Sequence, residues 1–308
     1  MELATNNLIK AGEIQSAIYA IENDASLYEE TNFNNRANAI DFIEFHIIDR
    51  AVGLQQDKSL KIKLDKLLQR AENIKYELER VNTTLFQQLR KKISTHIYTG
   101  SSFREMISKY FGDYNNTNDT CKIGYDNLDV FMNGLLSEQP LPETTIELAP
   151  EMVFYQKTPA RIILKLIERS NLKERDVLFD LGSGLGQVAI LVNLISVVKV
   201  IGVEYEPAYC SYAESCVRML SLRNIGFINA DARNADYSEG TVFFMYTPFI
   251  GSMLQDVLNI LKAEAHKRMI RIFSYGPCSA QLKRQTWLNP VNGKGDHRYE
   301  LYEFRAAF

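Results

Sequence analysis

The 308-residue chain predicts an α/β fold in its second half, an open and mostly parallel sheet with a C-terminal antiparallel hairpin, preceded by an all-α N-terminal domain. Three observations predict it. Up to about residue 112 the apolar residues recur with a helical period and strand signals are scarce. From Pro159 onward, short apolar runs alternate with helical stretches, the pattern of a parallel sheet covered by helices. The last two candidate strands, Gln285 to Leu288 and His297 to Phe304, are joined by a segment containing Asn292-Gly293-Lys294-Gly295, which reads as a hairpin connection.

The clearest element of the first half is a long helix from about Ser59 to Lys92. Leu64, Ala71, Leu78 and Leu85 recur every seven residues, with Leu67, Ile74 and Val81 at the complementary positions, so the helix carries a heptad seam. Such a seam serves either a bundle within the same chain or a coiled-coil homodimer. Earlier helices are predicted around Leu8, Ile14, Ile18 and Ile21 and around Ile40, Phe42, Ile43, Ile47 and Ile48, positioned to cover the long one.

A polar stretch from Gly112 to Thr120 marks a loop or hinge. Leu128, Val130, Phe131, Leu135 and Leu136 then predict a short helix docked beside the sheet. Gln139 to Pro150, with Pro140, Pro142 and Pro150, predicts a stiff extended strap. The domain division expected is therefore residues 1–112 helical, 113–150 linker with its docking helix, and 151–308 the α/β domain.

Within that last domain the apolar run Val177-Leu178-Phe179 leads into Asp180-Leu181-Gly182-Ser183-Gly184-Leu185-Gly186-Gln187, and the apolar run Val188 to Ile195 follows. Strand, glycine turn and helix N-terminus in succession make a site for a nucleotide-like cofactor. Glycines let the backbone turn sharply and approach a ligand, while the free N–H groups opening the helix favour electron-rich groups. The glycines alone leave the cofactor open, because Gly184, Gly186 and Ala189 also satisfy the looser dinucleotide fingerprint. The next strand, Lys199 to Val203, ends in Glu204, where an acid accepts hydrogen bonds from a ribose diol. Ile225 to Ala230 ends in Asp231-Ala232, placed to meet an adenine edge, and Thr241 to Met245 ends in Tyr246-Thr247-Pro248-Phe249.

With Asp180 ahead of three alternating glycines, the constellation resembles the class I S-adenosylmethionine (SAM) dependent methyltransferases, whose first motif reads D-x-G-x-G-x-G. The resemblance covers about the last half of the chain, from Tyr155 onward. It implies a Rossmann-like methyltransferase sheet, SAM as cofactor, Asp180, Gly182, Gly184 and Gly186 around its methionine end, Glu204 on the ribose and Asp231, with Ala232, near the adenine. A narrower similarity is to the non-SET histone-lysine methyltransferases, the disruptor-of-telomeric-silencing family. Tyr155-Gln156-Lys157-Thr158 matches that family's Y-x-x-T segment, Asp180 through Gln187 its D-L-G-S-G-x-G-Q turn, which includes Ser183, and Tyr212-Ala213-Glu214 its Y-A-E. Tyr155 and Thr158 are thereby expected at the cofactor, although Thr158 also suits the N-cap of a helix opening at Pro159. At the fourth strand the family places asparagines along a lysine channel; here Tyr246 and Thr247 stand instead, followed by Pro248-Phe249, so the acceptor is not carried over.

Tyr246, Thr247 and Phe249 are the expected acceptor-site residues, and no metal is called for. The expected activity is methyl transfer from SAM to an acceptor, a protein lysine side chain being one option and a small metabolite or RNA another. A SAM-binding interaction module without turnover, and a nicotinamide oxidoreductase, are the remaining alternatives. Lys plus Arg number 35 against 38 Asp plus Glu, a formal charge of -3, which gives no global attraction to nucleic acid. Cys121, Cys210, Cys216 and Cys278 lack metal-ligand spacing, and with no secretory signal or membrane-length apolar run the expectation is a cytoplasmic protein with reduced thiols. His46, His96, His266 and His297 are scattered, and none is singled out as a base.

Overall fold

The computed structural model describes residues 2–55, 57, 59–112, 124–291 and 297–307. The chain divides into two compact units, the first comprising Met1–Leu89, Lys109–Gly112 and Asp126–Leu135, the second the remainder. The division thus falls inside the long helix rather than at residue 112. The polar hinge expected after Gly112, Cys121 and the segment Asn292 to Gly295 lie outside the described residues.

In the helical unit, α1 (Glu2–Glu22) is followed by a short 3-10 turn, Ala25–Tyr28, whose N-cap Asp24 accepts the Ser26 N–H. Next, α2 (Phe33–Phe42) runs through a π-helical stretch, Ile43–Ile48, into α3 (Asp49–Leu54). The long helix is α4 (Lys61–Ser94). Its seam residues Leu64, Ala71, Leu78 and Leu85 are buried, the first three in a core shared with Ile14 and Ile18 of α1, Ile43 and Ile47 of the π stretch, and Ala51 of α3. The seam is therefore occupied by helices of its own chain, the bundle arrangement. Val81 is only half-buried, and Leu8 and Phe42, expected to face the core, are exposed.

Two further helices follow, α5 (Ser101–Phe111) and α6 (Asn127–Leu136). The sequence expectation that α6 docks beside the sheet is corrected by the structure: Phe131 packs against Phe33, Tyr110, Phe111 and Phe86 at ring-centroid distances of 5.0, 5.0, 5.4 and 5.7 Å. An aromatic cluster of this kind contributes beyond its buried area, and it claims the apolar face of α6 for the helical unit. Val130 remains exposed.

The second unit alternates helices and strands as predicted: α7 (Ala160–Ser170), β1 (Val177–Leu181), α8 (Gln187–Ser196), β2 (Lys199–Glu204), α9 (Pro207–Met219), β3 (Ile225–Asn229), β4 (Val242–Tyr246), α10 (Gly251–Ala265), β5 (Arg271–Tyr275), α11 (Ser279–Lys283), β6 (Leu288–Pro290) and β7 (Tyr302–Ala306). The sheet order is β3-β2-β1-β4-β5-β7-β6, with β1 to β5 parallel and β7 antiparallel to both of its neighbours. The closing pair is the expected hairpin shifted toward the C-terminus, and β7 inserts between β5 and β6. The order reverses between β1 and β4, which opens a crevice at their carboxyl ends.

All nine residues Gln187–Ile195 of α8 are buried, because this helix is covered on more than one side. The Gly100 N–H reaches the Leu194 carbonyl at 2.7 Å, and Asn193 donates to the carbonyls of Val198 and Arg223, both at 2.9 Å. A helix held this firmly gives the turn ahead of it a fixed N-terminus. Among the described residues no helix is long and apolar enough to cross a membrane.

Candidate active site

The turn after β1 is built from residues that a side chain would disrupt. Gly182, Gly184 and Gly186 all have positive φ, at 72°, 52° and 79°. A Cβ on Gly182 would lie 2.2 Å from Pro248 Cβ, and one on Gly184 would lie 2.2 Å from the Tyr155 ring. The turn is thereby pressed against the end of β4 on one side and the segment preceding α7 on the other. Gly182 and Ser183 both donate their N–H groups to the Val203 carbonyl, at 2.9 and 3.1 Å, which ties the turn to β2.

Two carboxyl groups face this turn. Glu204, at the end of β2, accepts the Gly184 N–H through Oε2 at 2.7 Å and the Glu206 N–H through Oε1 at 2.8 Å. Burial raises its pKa against the opposing effect of these N–H donors. Asp180, at the end of β1, takes the Ala189 N–H near the start of α8; burial first, and the Glu204 charge second, push its carboxyl up to about 8. Asp180 Oδ2 and Ser183 Oγ are buried without a hydrogen-bond partner. Unpaired buried acceptors beside two carboxyl groups form a place that a donor-rich or cationic ligand would satisfy.

A cavity of about 500 Å³ opens here, well within the span of small-molecule sites. It brings together Tyr155, Thr158, Asp180, Gly182, Ser183, Gln187, Glu204, Ala232, Tyr246, Thr247 and Phe249, all expected from the sequence. Tyr155 meets Tyr209 edge to face with ring centroids 5.4 Å apart. Thr158 is buried, and the N-cap of α7 is Pro159 with no side-chain cap. Gly184 and Gly186 shape the turn without lining the cavity. Asp231 does not line it either: its two oxygens are held by the Arg233 guanidinium and backbone N–H, at 2.7 to 3.3 Å, while Ala230 and Ala232 on either side do.

The end of β4 forms the far wall. Thr247 has a positive φ of 44°, unusual for a β-branched residue, and its hydroxyl donates to the Tyr275 carbonyl and accepts the Cys278 N–H, both at 3.1 Å. That hydroxyl is fully engaged in joining β4 to β5. Tyr246 donates to Gln156 Oε1 at 3.2 Å, and burial raises its phenol pKa. Phe249 is buried and pairs with Met152 in an isolated antiparallel bridge.

Sequence reasoning missed two acids that organise these walls. Glu151 accepts from Ser252 N–H and Oγ and from Met253 N–H at 2.7 to 3.0 Å, capping α10 and holding the segment after β4. Glu206 caps α9 and also binds residues 145 and 146. For Glu206 a signal existed, since an acid directly before Pro207 at a helix start is an N-cap signature. Neither the four histidines nor Cys210, Cys216 and Cys278 line the cavity; these three cysteines are free and buried, and among the described residues no cluster suits a metal ion.

Residues 151–243 match the family model described as histone methylation protein DOT1. The matched stretch contains the glycine turn, Glu204 and Asp231. No curated protein matches the chain. Similar solved structures include an RNA methyltransferase from Salinibacter ruber in complex with S-adenosyl-L-homocysteine, 23% identical over 49% of this chain and 92% of that one, with a TM-score of 0.39. A SAM dependent methyltransferase from Aquifex aeolicus is 17% identical over 48% of this chain and 93% of that one, TM-score 0.37. A ribosomal protein L11 methylase from Lactobacillus delbrueckii subsp. bulgaricus is 13% identical over 52% and 84%, TM-score 0.40.

The cavity fits SAM by its chemistry. SAM carries hydroxyl and ammonium donors and a sulfonium charge, and the cavity offers Glu204, Asp180 and the unpaired Ser183 hydroxyl. What the cofactor supplies is a methyl group already activated on a positively charged sulfur, so the protein's work is alignment and exclusion of water.

Proposed function

We propose that the domain transfers the methyl group of SAM to a lysine side chain of a protein. In this reading Glu204 holds the ribose, Asp180, Gly182, Ser183, Gly184, Gly186 and Gln187 surround the methionine end with Tyr155 and Thr158, and Ala232 flanks the adenine. Asp231 acts there through the turn it shares with Arg233. Tyr246, Thr247 and Phe249 form the acceptor wall, with Thr247 setting the shape of the turn.

The observation that carries the reading is that Tyr246, Pro248 and Phe249 wall the same cavity as Asp180 and Glu204. An aromatic wall there would shield the amine from water. Only roughly one lysine amine in a few thousand is neutral near pH 7, given a reference pKa of about 10.4. A dry channel disfavours the ammonium and raises that fraction. Burial raises the phenol pKa of both Tyr155 and Tyr246, so these hydroxyls stay protonated and act as donors rather than bases. The DOT1 match over residues 151–243 supports a protein acceptor.

The test is incubation with methyl-labelled SAM and a lysate of the host cell, followed by separation and hydrolysis of the protein fraction. Label recovered as methyl-lysine is expected. Label confined to RNA or small molecules overturns the lysine reading, and no S-adenosylhomocysteine release above a no-acceptor control would make the domain a SAM-binding module.

A further inference from the structure

Residues 139–150 contain neither helix nor strand, yet Thr144, Ile146, Glu147 and Leu148 from this strap line the cofactor cavity. Backbone outside a ladder needs other partners to stay in place. Those partners converge on one carboxylate.

Glu206 Oε2 accepts the N–H groups of Thr145 at 2.9 Å and Ile146 at 3.1 Å, and Oε1 accepts the Thr145 hydroxyl and the Ala208 N–H. The same side chain is thus the N-cap of α9 and the anchor of the strap, and it is buried. Burial alone would raise its pKa, but the donors outweigh that and hold it below the usual carboxylate range, so it is ionised near neutral pH. The Glu206 N–H in turn donates to Glu204 Oε1, and Glu204 Oε2 takes the Gly184 N–H. An unbroken series of contacts runs from the glycine turn through two acids to the strap.

We propose that Glu206 is a positioning residue that seats the strap as a wall of the cofactor cavity and couples it to Glu204. The proposal rests on the reading of Glu204 as the ribose acid. Cofactor that engages Glu204 then steadies the strap, and by reciprocity a seated strap tightens the cofactor. Removing the Glu206 contact to the strap loosens the wall without touching the glycine turn.

The test is amide hydrogen exchange of the peptide spanning residues 143–148, with S-adenosylhomocysteine affinity measured by calorimetry. Glu206→Asp keeps an N-cap oxygen for α9 but is one methylene too short for the strap; Thr145→Val removes the hydroxyl contact and leaves the cap intact. In the wild type, S-adenosylhomocysteine should slow exchange in this peptide by about tenfold. Glu206→Asp should exchange fast with or without it and bind about tenfold more weakly, ~1.4 kcal/mol. Thr145→Val should shift both readouts in the same direction by less. Wild-type affinity in both variants, or strap exchange indifferent to S-adenosylhomocysteine in the wild type, overturns the proposal. If the wild type binds no S-adenosylhomocysteine at all, the cofactor reading has failed and the coupling falls with it; that case is recognisable because the strap peptide still distinguishes wild type from Glu206→Asp.

Discussion

The Gly184 N–H donates to Glu204 Oε2 at 2.7 Å, so the glycine turn and the acid of the second strand form one unit. The φ of 52° at Gly184 and the Tyr155 ring packed where a Cβ would project make this position intolerant of any side chain. Gly184→Ala is expected to displace Tyr155, to cost about 1–3 kcal/mol of stability, and to weaken SAM binding by about 100-fold or more. Thermal unfolding and calorimetry check the two effects; an alanine variant with wild-type affinity would contradict them.

Asp180 is expected to make SAM binding pH-dependent. Its carboxyl lies at about 8 in the folded protein, against about 3.9 for a free side chain. A raised folded-state value means the associated stability is full below about pH 4 and is lost as pH rises through about 8. A cationic cofactor opposes this by favouring the carboxylate. SAM binding should therefore release protons, and its affinity should rise between about pH 6 and about pH 8, read by calorimetry in buffers of different ionisation heat. Asp180→Asn should flatten the profile. A flat profile in the wild type would contradict the assignment.

Thr247 joins the ends of β4 and β5 through its hydroxyl. Thr247→Val leaves a buried carbonyl and a buried N–H without that partner and should destabilise the protein by about 1–3 kcal/mol, whereas Thr247→Ser retains both bonds and should cost less. Denaturant titration distinguishes them. Equal stability of the two variants would mean that the hydroxyl does not hold the turn.

In the helical unit, glycines of opposite consequence allow a control. A Cβ at Gly134 would lie 2.2 Å from Phe86 Cε2 inside the aromatic cluster, so Gly134→Ala should destabilise by about 1–3 kcal/mol. Gly12 and Gly53 lie in α1 and α3 with nothing within 4 Å of where a Cβ would stand, and alanine there should stabilise by about 0.5–1 kcal/mol. Melting temperatures that move the same way for all three would argue against the packing of α6.

The first four strands were legible because each ends in, or is closely followed by, residues that a purely structural strand does not require: Asp180 and the glycines, Glu204, Asp231, and Tyr246-Thr247. The heptad seam was legible because its period is local, though its partners were not, since a seam looks alike whether covered by its own chain or by another. Long-range polar contacts left no such trace. Thr145 meets Glu206 across 61 residues and Glu151 meets Ser252 across 101, and neither pair has a local signature beyond a helix cap. The destination of α6 was hidden for a related reason: its apolar stripe predicts a buried face but does not say which unit buries it. Asp231 reads as a free acid in sequence, and its pairing with Arg233 depends on a turn geometry that composition does not encode.

In the proposed reading, the turn after β1 and Glu204 hold SAM. Calorimetric titration of wild type and Glu204→Gln with SAM tests this. One-to-one binding to the wild type is expected, with binding about 10- to 100-fold weaker in the variant, where an uncharged amide replaces the proposed acceptor of the ribose hydroxyls. Absence of binding to the wild type, or equal affinity in the two proteins, would contradict it.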